Sequence, residues 1–214
     1  MIPFTSEVFF ALFEDYNLAI WPAQIIAYMV GLLELVLVFA PTQTGGRIIG
    51  AALALFWLWT GIVYHWLTFA GINFAAPVFA ALFVCQGLLF GWTLVLKRGA
   101  SFRFDATLHS WAGLALIIVA LAGYPLMNWL AGHGWPQMPV FGTSPCPTTI
   151  FTLGVLLTAR RAVSPTLAAV PVLWALVAGT AAPALLDMPE NFALLLAGIA
   201  GGGLLVWKRR MAAA

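Results

Sequence analysis

Charge is the scarcest property of this sequence: Lys, Arg, Asp and Glu make up 7% of the 214 residues, while 63% are hydrophobic. A soluble globule carries about a quarter of its residues charged, so there is too little polar surface here to cover one. No basic residue precedes Arg47, which argues against a cleaved leader, since a leader opens on a positive segment; the first span is expected to stay in the mature protein. Cysteine is nearly absent, with Cys85 and Cys146 alone and no Cys-x-x-Cys pair. Cys85 falls near the middle of its apolar segment and Cys146 maps to the outer third of the bundle, a difference in depth that argues against a disulfide. The two lysines, Lys97 and Lys208, lie at segment ends, which removes the retinal-binding lysine of a seven-helix photoreceptor. His109 and His133 fall at opposite ends, leaving no paired haem ligands. G-x-S-x-G and facing Asp pairs are also missing, so common hydrolases and intramembrane proteases are disfavoured.

What is present is long apolar runs. A membrane-crossing helix needs roughly 20 apolar residues, and segments of that kind lie near 18–40, 48–69, 75–96, 108–131, 138–158, 165–186 and 191–207. The expected fold is all-α, a single polytopic membrane bundle over residues 1–214 with seven transmembrane helices and an interfacial segment at 1–16. All nine basic residues share one face: Arg47, Lys97, Arg98, Arg103, Arg160, Arg161, Lys208, Arg209 and Arg210. Basic residues in short loops are retained on the cytoplasmic side, which places the N-terminus outside and the C-terminus inside. Glu7, Glu14, Asp15, Asp187 and Glu190 fall on the opposite face, Asp105 joins the basic one, and Glu34 lies inside a span. The net charge of +2 reflects this topology and marks no nucleic-acid surface. Residues 5–16 are expected to form a short helix capped by Thr5 or Ser6, with Phe9, Phe10 and Phe13 in the headgroup zone. Trp21, Trp66, Trp129, Trp135 and Trp207 near span ends fit an aromatic belt.

The fifth segment departs from this pattern, because Pro139, Gly142, Pro145 and Pro147 crowd its first half. A helix from Pro147 to Thr158 rises about 18 Å, short of a hydrocarbon core near 30 Å. Residues 138–146 must therefore run as irregular backbone, which is tolerated at that depth only inside protein or beside a wet cavity. Pro147 suits a first helical position. That leaves Cys146 beside the helix start, where the positive helix end favours a thiolate nucleophile or soft-metal ligand.

Several polar residues map to the half of the bundle opposite the basic face. Gln24 and Tyr28, Thr60 and Tyr64, Tyr124 and Asn128, and Thr148 and Thr152 each share a helix face at i,i+4. Tyr64, His65, Tyr124, Asn128, Cys146, Thr148, Thr149 and Thr152 together form a candidate vestibule for a small molecule or ion, with His65 and Cys146 close enough to share a ligand or one water. The same residues equally serve as glue between helices. Glu34 costs several kcal/mol inside a span unless protonated, paired or hydrated, and Gln86 is the nearest polar match in depth. No metal cluster, cofactor motif or catalytic triad is visible, which puts enzyme activity last. Gly198 and Gly202, four apart, point to close helix packing.

PFTSEVFF, YNLAIWPAQ, YHWLTFAGINFAA, FVCQG, PCPTTIFTLGVLL and LWALVAGTAA together resemble a bacterial family of multi-pass membrane proteins of unknown function, nearly end to end. PCPTTIFTLG is the most specific piece. The resemblance implies a multi-pass architecture in the bacterial inner membrane, in contact with membrane lipids, and assigns no activity, cofactor or site. Similar sequences have an Asp after the Pro-Glu following the sixth helix, where this chain has Asn191. Two functions stay open: a small transporter or channel whose path runs past His65 and Cys146 toward Glu34, or a non-transporting accessory subunit or lipid or quinone binder. A continuous polar cavity favours the first; a dry core with an apolar groove favours the second.

Overall fold

The computed structural model describes residues 3–97 and 100–213; Arg98 lies outside them. Among the described residues the only strand-like feature is a single antiparallel bridge between Phe102 and Ala159. The described residues form eight helices in order: α1 (Ser6–Ala19), α2 (Ala23–Phe39), α3 (Gln43–Gly71), α4 (Ala76–Leu96), α5 (Leu108–Leu130), α6 (Pro145–Leu157), α7 (Pro165–Leu185) and α8 (Asn191–Ala213). Five of them, α3, α4, α5, α7 and α8, are long and apolar enough to cross a membrane. The α1–α2 pair, bent by 83°, makes a sixth if counted as one span.

Hydrophobic runs predict the limits of α4, α5 and α7 to within one residue, because each of those runs is closed by a polar or turn-forming stretch, whereas α3 begins five residues before its run and α8 ends six residues after it. Thr5 caps α1 by accepting from Val8 N at 3.4 Å, Thr42 caps α3 through Gly45 N at 2.8 Å, and Thr107 caps α5 through Ser110 N at 3.3 Å. Widened turns at Thr60–Thr68, Gly91–Leu96, Val119–Gly123 and Ala197–Gly201 let α3, α4, α5 and α8 continue with local adjustment.

The feature that organises the molecule is α6. Every residue from Pro145 to Leu157 is buried, so this helix forms the bundle's central rod. Glycine makes that possible. A Cβ on Gly113 would stand 2.6 Å from the Gly154 carbonyl oxygen, and one on Gly154 would stand 2.7 Å from the Gly113 oxygen, so α5 and α6 meet backbone to backbone. Gly198 plays the same part between α8 and α7, where a Cβ would lie 2.6 Å from that of Ala175.

Residues 131–144 contain no helix, and α6 begins at Pro145, two residues earlier than the spacing of prolines predicts. Cys146 thus sits inside the first turn instead of at the cap. The irregular stretch satisfies its backbone locally, as buried amides must. Gly142 N donates to Thr148 Oγ1 at 2.9 Å, Val140 N to Ser144 Oγ at 3.0 Å, and Thr148 Oγ1 to the Ser144 oxygen at 2.6 Å. Gly142 adopts φ of 78°, and a Cβ there would meet Ala27 at 2.6 Å, so both conformation and space require glycine.

Helix α1 holds this stretch in place. Tyr16 OH donates to the Thr143 oxygen at 2.7 Å, while Asn17 Nδ2 donates to the oxygens of Pro136 and Met138 at 2.6 and 2.8 Å. Phe9, Phe10 and Phe13 are buried against the rest of the protein: Phe13 stacks on Tyr64 and Phe10 on His133, with centroids 5.3 and 3.9 Å apart. At the opposite, basic end, Lys208 Nζ donates to the carbonyl oxygens of Leu157, at 3.0 Å, and Ala159. A cation there answers the negative end of α6.

Candidate functional site

Where α1, α3, α4, α6, α7 and α8 meet at the acidic end, they enclose a recess of about 260 Å³. Its walls carry eight aromatic rings: Phe4, Phe9, Phe13, Tyr64, Phe69, Phe74, Phe79 and Trp174. Cys146 and Asn191 supply polar atoms among them. Local sequence explains the assembly. The Phe9/Phe13 face of α1 lies against α3 through a stacked Phe13–Tyr64 contact of 5.3 Å and an edge Phe9–Phe69 contact of 5.9 Å, and the early start of α6 carries Cys146 to the recess.

The recess offers mainly hydrogen-bond donors. Trp174 Nε1 is buried with no partner among the described residues. Asn191 Oδ1 is occupied by the Tyr124 hydroxyl at 2.7 Å, while its Nδ2 meets only the Met188 sulfur at 3.9 Å. The Cys146 thiol lies beside Tyr124, Trp174 and Asn191. Donors set among apolar and aromatic walls suit a lipophilic molecule that carries acceptor oxygens.

The residues singled out from the sequence divide into three groups. Tyr64 and Cys146 line the recess, and Tyr124 stands behind it through Asn191. His65 is not in the lining. It is 0% exposed, both ring nitrogens lack partners among the described residues, and it is enclosed by Phe83, Trp174 and Tyr64 with centroids at 4.7, 5.1 and 5.1 Å. His65 and Cys146 have Trp174 as a common neighbour. Thr148 and Thr152 brace α6: Thr152 Oγ1 donates to the Thr148 oxygen at 2.7 Å and accepts from Trp57 Nε1 at 2.9 Å. Asn128 Nδ2 donates to the Tyr124 oxygen at 2.9 Å, whereas the Thr149 hydroxyl is buried without a partner among the described residues.

Glu34 is 0% exposed and neither carboxyl oxygen has a bonding partner among the described residues. Gln86 is not that partner, since its Nε2 donates to the Leu167 oxygen at 3.1 Å. Gly31, one turn before Glu34, faces the Phe141 ring.

Residues the sequence reading missed are Trp174, Asn191, Tyr16, Asn17 and the pair His133–Glu190. Trp174 was hidden among ten tryptophans of a membrane-like chain. Its one signal was a mid-helix position away from the span ends. His133 Nδ1 stands 3.8 Å from Glu190 Oε1, just beside Asn191. Burial raises the Glu190 carboxyl above its usual value and lowers His133, so both groups lean toward their neutral forms. Among the described residues no three of His, Cys, Asp and Glu gather as metal ligands.

No curated protein and no solved structure matches this chain. A family model does, across residues 6–214. The match takes in every helix that builds the recess and all of α6, and the chain therefore belongs to the family of unknown function DUF6064.

Proposed function

We propose that this protein is an integral membrane protein of the bacterial inner membrane that holds a lipophilic, ring-bearing molecule with acceptor oxygens, of the isoprenoid quinone class, in the aromatic recess. The observation that carries this reading is the Trp174 N–H, buried without a partner among the described residues in a recess lined by aromatic side chains, with the Asn191 amide nearby held only by a long contact to the Met188 sulfur. A quinone head offers a flat ring for offset stacking and two acceptor carbonyls with no donor. In this reading the basic face is cytoplasmic, the N-terminus outside, and α6 with residues 138–144 makes the fifth of seven crossings. The recess then opens in the outer leaflet.

The test is binding of a short-chain ubiquinone analogue to the purified full chain in detergent, followed by thermal stability. Saturable stabilisation is expected, and Trp174→Phe, which keeps a ring and removes the donor, should weaken it about five- to tenfold, the worth of one neutral hydrogen bond. Absence of saturable binding, or equal affinity in Trp174→Phe, rejects the assignment. A second reading rests on Glu34. A carboxyl group enclosed without a partner suits a proton- or cation-carrying position, and proton flux into proteoliposomes abolished by Glu34→Gln would favour transport instead.

A further inference from the structure

We propose a second binding site, at the basic end of the bundle, for the phosphate of an anionic phospholipid headgroup. A polar recess of about 760 Å³ opens there, lined among others by Thr42, Gln43, Ser101, Arg103, Arg160 and Arg161. It is a constructed feature. Arg103 N donates to the Thr158 oxygen at 2.9 Å and Arg160 N to the Ser101 oxygen at 2.8 Å, on either side of the Phe102–Ala159 bridge. The bridge fixes two loops far apart in sequence in one register, and in doing so sets three guanidinium groups around one concavity.

The charges do not cancel. Arg103 pairs with Asp105 at 2.9 Å, but neither Arg160 nor Arg161 has a carboxylate within 4.0 Å among the described residues. Two uncompensated guanidinium groups beside hydroxyl and amide side chains match the oxygens of a phosphate diester, which guanidinium binds in a forked geometry. The recess lies where α2 gives way to α3, α4 to α5, and α6 to α7. On the topology of the proposed function, this is the depth of cytoplasmic-leaflet headgroups, where basic pockets between helices take anionic lipids. The occupant is therefore a phosphatidylglycerol- or cardiolipin-type lipid, with its chains against the flanking helices.

Full-length protein in a neutral detergent is titrated with phosphatidylglycerol, phosphatidylcholine or inorganic phosphate, and retained lipid is counted by native mass spectrometry. The expected result is selective retention of phosphatidylglycerol, weakened about tenfold in Arg160→Gln/Arg161→Gln and by high salt. Arg209→Gln/Arg210→Gln, with equal loss of charge, should bind as the parent does. Equal weakening in both double variants, or equal retention of phosphatidylcholine, overturns the site. Inorganic phosphate competing as well as the lipid reassigns the recess to a soluble anion and overturns the lipid assignment. Topology is read separately, by impermeant maleimide labelling of Ser101→Cys in a Cys85→Ser/Cys146→Ser background on intact and inverted vesicles. Labelling from outside refutes the membrane orientation, whereas lost lipid selectivity with inside-only labelling refutes this site alone.

Discussion

Replacing Gly154 by Ala tests whether α6 is enclosed backbone to backbone. The added methyl would stand 2.7 Å from the Gly113 oxygen, 2.9 Å from Ile117 Cγ1 and 3.0 Å from Ile117 N. Two of those atoms belong to the α5 backbone and cannot rotate aside, so the helices must separate. Overpacking of this kind costs about 3 kcal/mol at the upper end of its usual range, and replacing a helical glycine by alanine returns about 1 kcal/mol. The net expectation is a loss of about 2 kcal/mol. Gly203→Ala supplies the control, because nothing lies within 4 Å of its Cβ position. There only the helical preference acts, and a gain of about 1 kcal/mol is expected. Reversible unfolding in mixed anionic and neutral detergent, followed by tryptophan fluorescence, should separate the two variants by about 3 kcal/mol with opposite signs relative to the parent. Gly113→Ala combined with Gly154→Ala should cost less than the sum of the two, since once the helices part for one methyl the other finds room. Shifts of the same sign for Gly154→Ala and Gly203→Ala, or strict additivity of the double variant, would refute the reasoning.

Lys208→Met removes the charged donor from the Leu157 and Ala159 carbonyls and should cost about 1.5–3 kcal/mol in the same unfolding assay, whereas Arg209→Met should be nearly silent. Trp57→Phe loses the bond from Nε1 to Thr152 and should cost about 1 kcal/mol, with no change in quinone affinity, because Trp57 does not line the recess. Burial raises the Glu190 carboxyl, so the folded state holds that proton more tightly than the unfolded one. Its contribution is complete below the unfolded value and is lost as pH rises through the folded one. Glu190→Gln should therefore flatten the fall in melting temperature with rising pH above about 4.5, the ordinary carboxyl value, and an unchanged profile would show that Glu190 is not the group responsible.

The long helices were legible in the sequence because their signal is one-dimensional: a run of apolar residues ended by a charged residue or by Gly, Pro or Asn. The interrupted fifth segment was legible for the same reason, since Pro139, Gly142 and Pro145 interrupt a run wherever it lies. What surrounds each helix was not. PCPTTIFTLGVLL reads alike whether its neighbours are lipid tails or leucines, so the burial of α6 on every side came only from coordinates. The recess was half legible. Tyr64 and Cys146 were found by depth and helical register, but Trp174 and Asn191 needed the crossing of α7 and α8, which no local pattern encodes. The Phe102–Ala159 bridge was invisible for a similar cause, because one isolated pair has no alternation to display.

The burial of α6 also bears on the order in which the chain is made. Leu153 of α6 would lie 3.5 Å from a Cβ on Gly201, and Lys208 closes its carbonyl end. Both belong to α8, which leaves the ribosome after α6. Until residues 191–213 emerge, the central rod has one uncovered flank and an uncapped terminus, while the early-made helices α3 and α5 already stand beside it. Final enclosure is thus a late event, and a nascent chain stopped before α8 would present that flank to quality-control proteases or to insertion factors that shelter unfinished bundles.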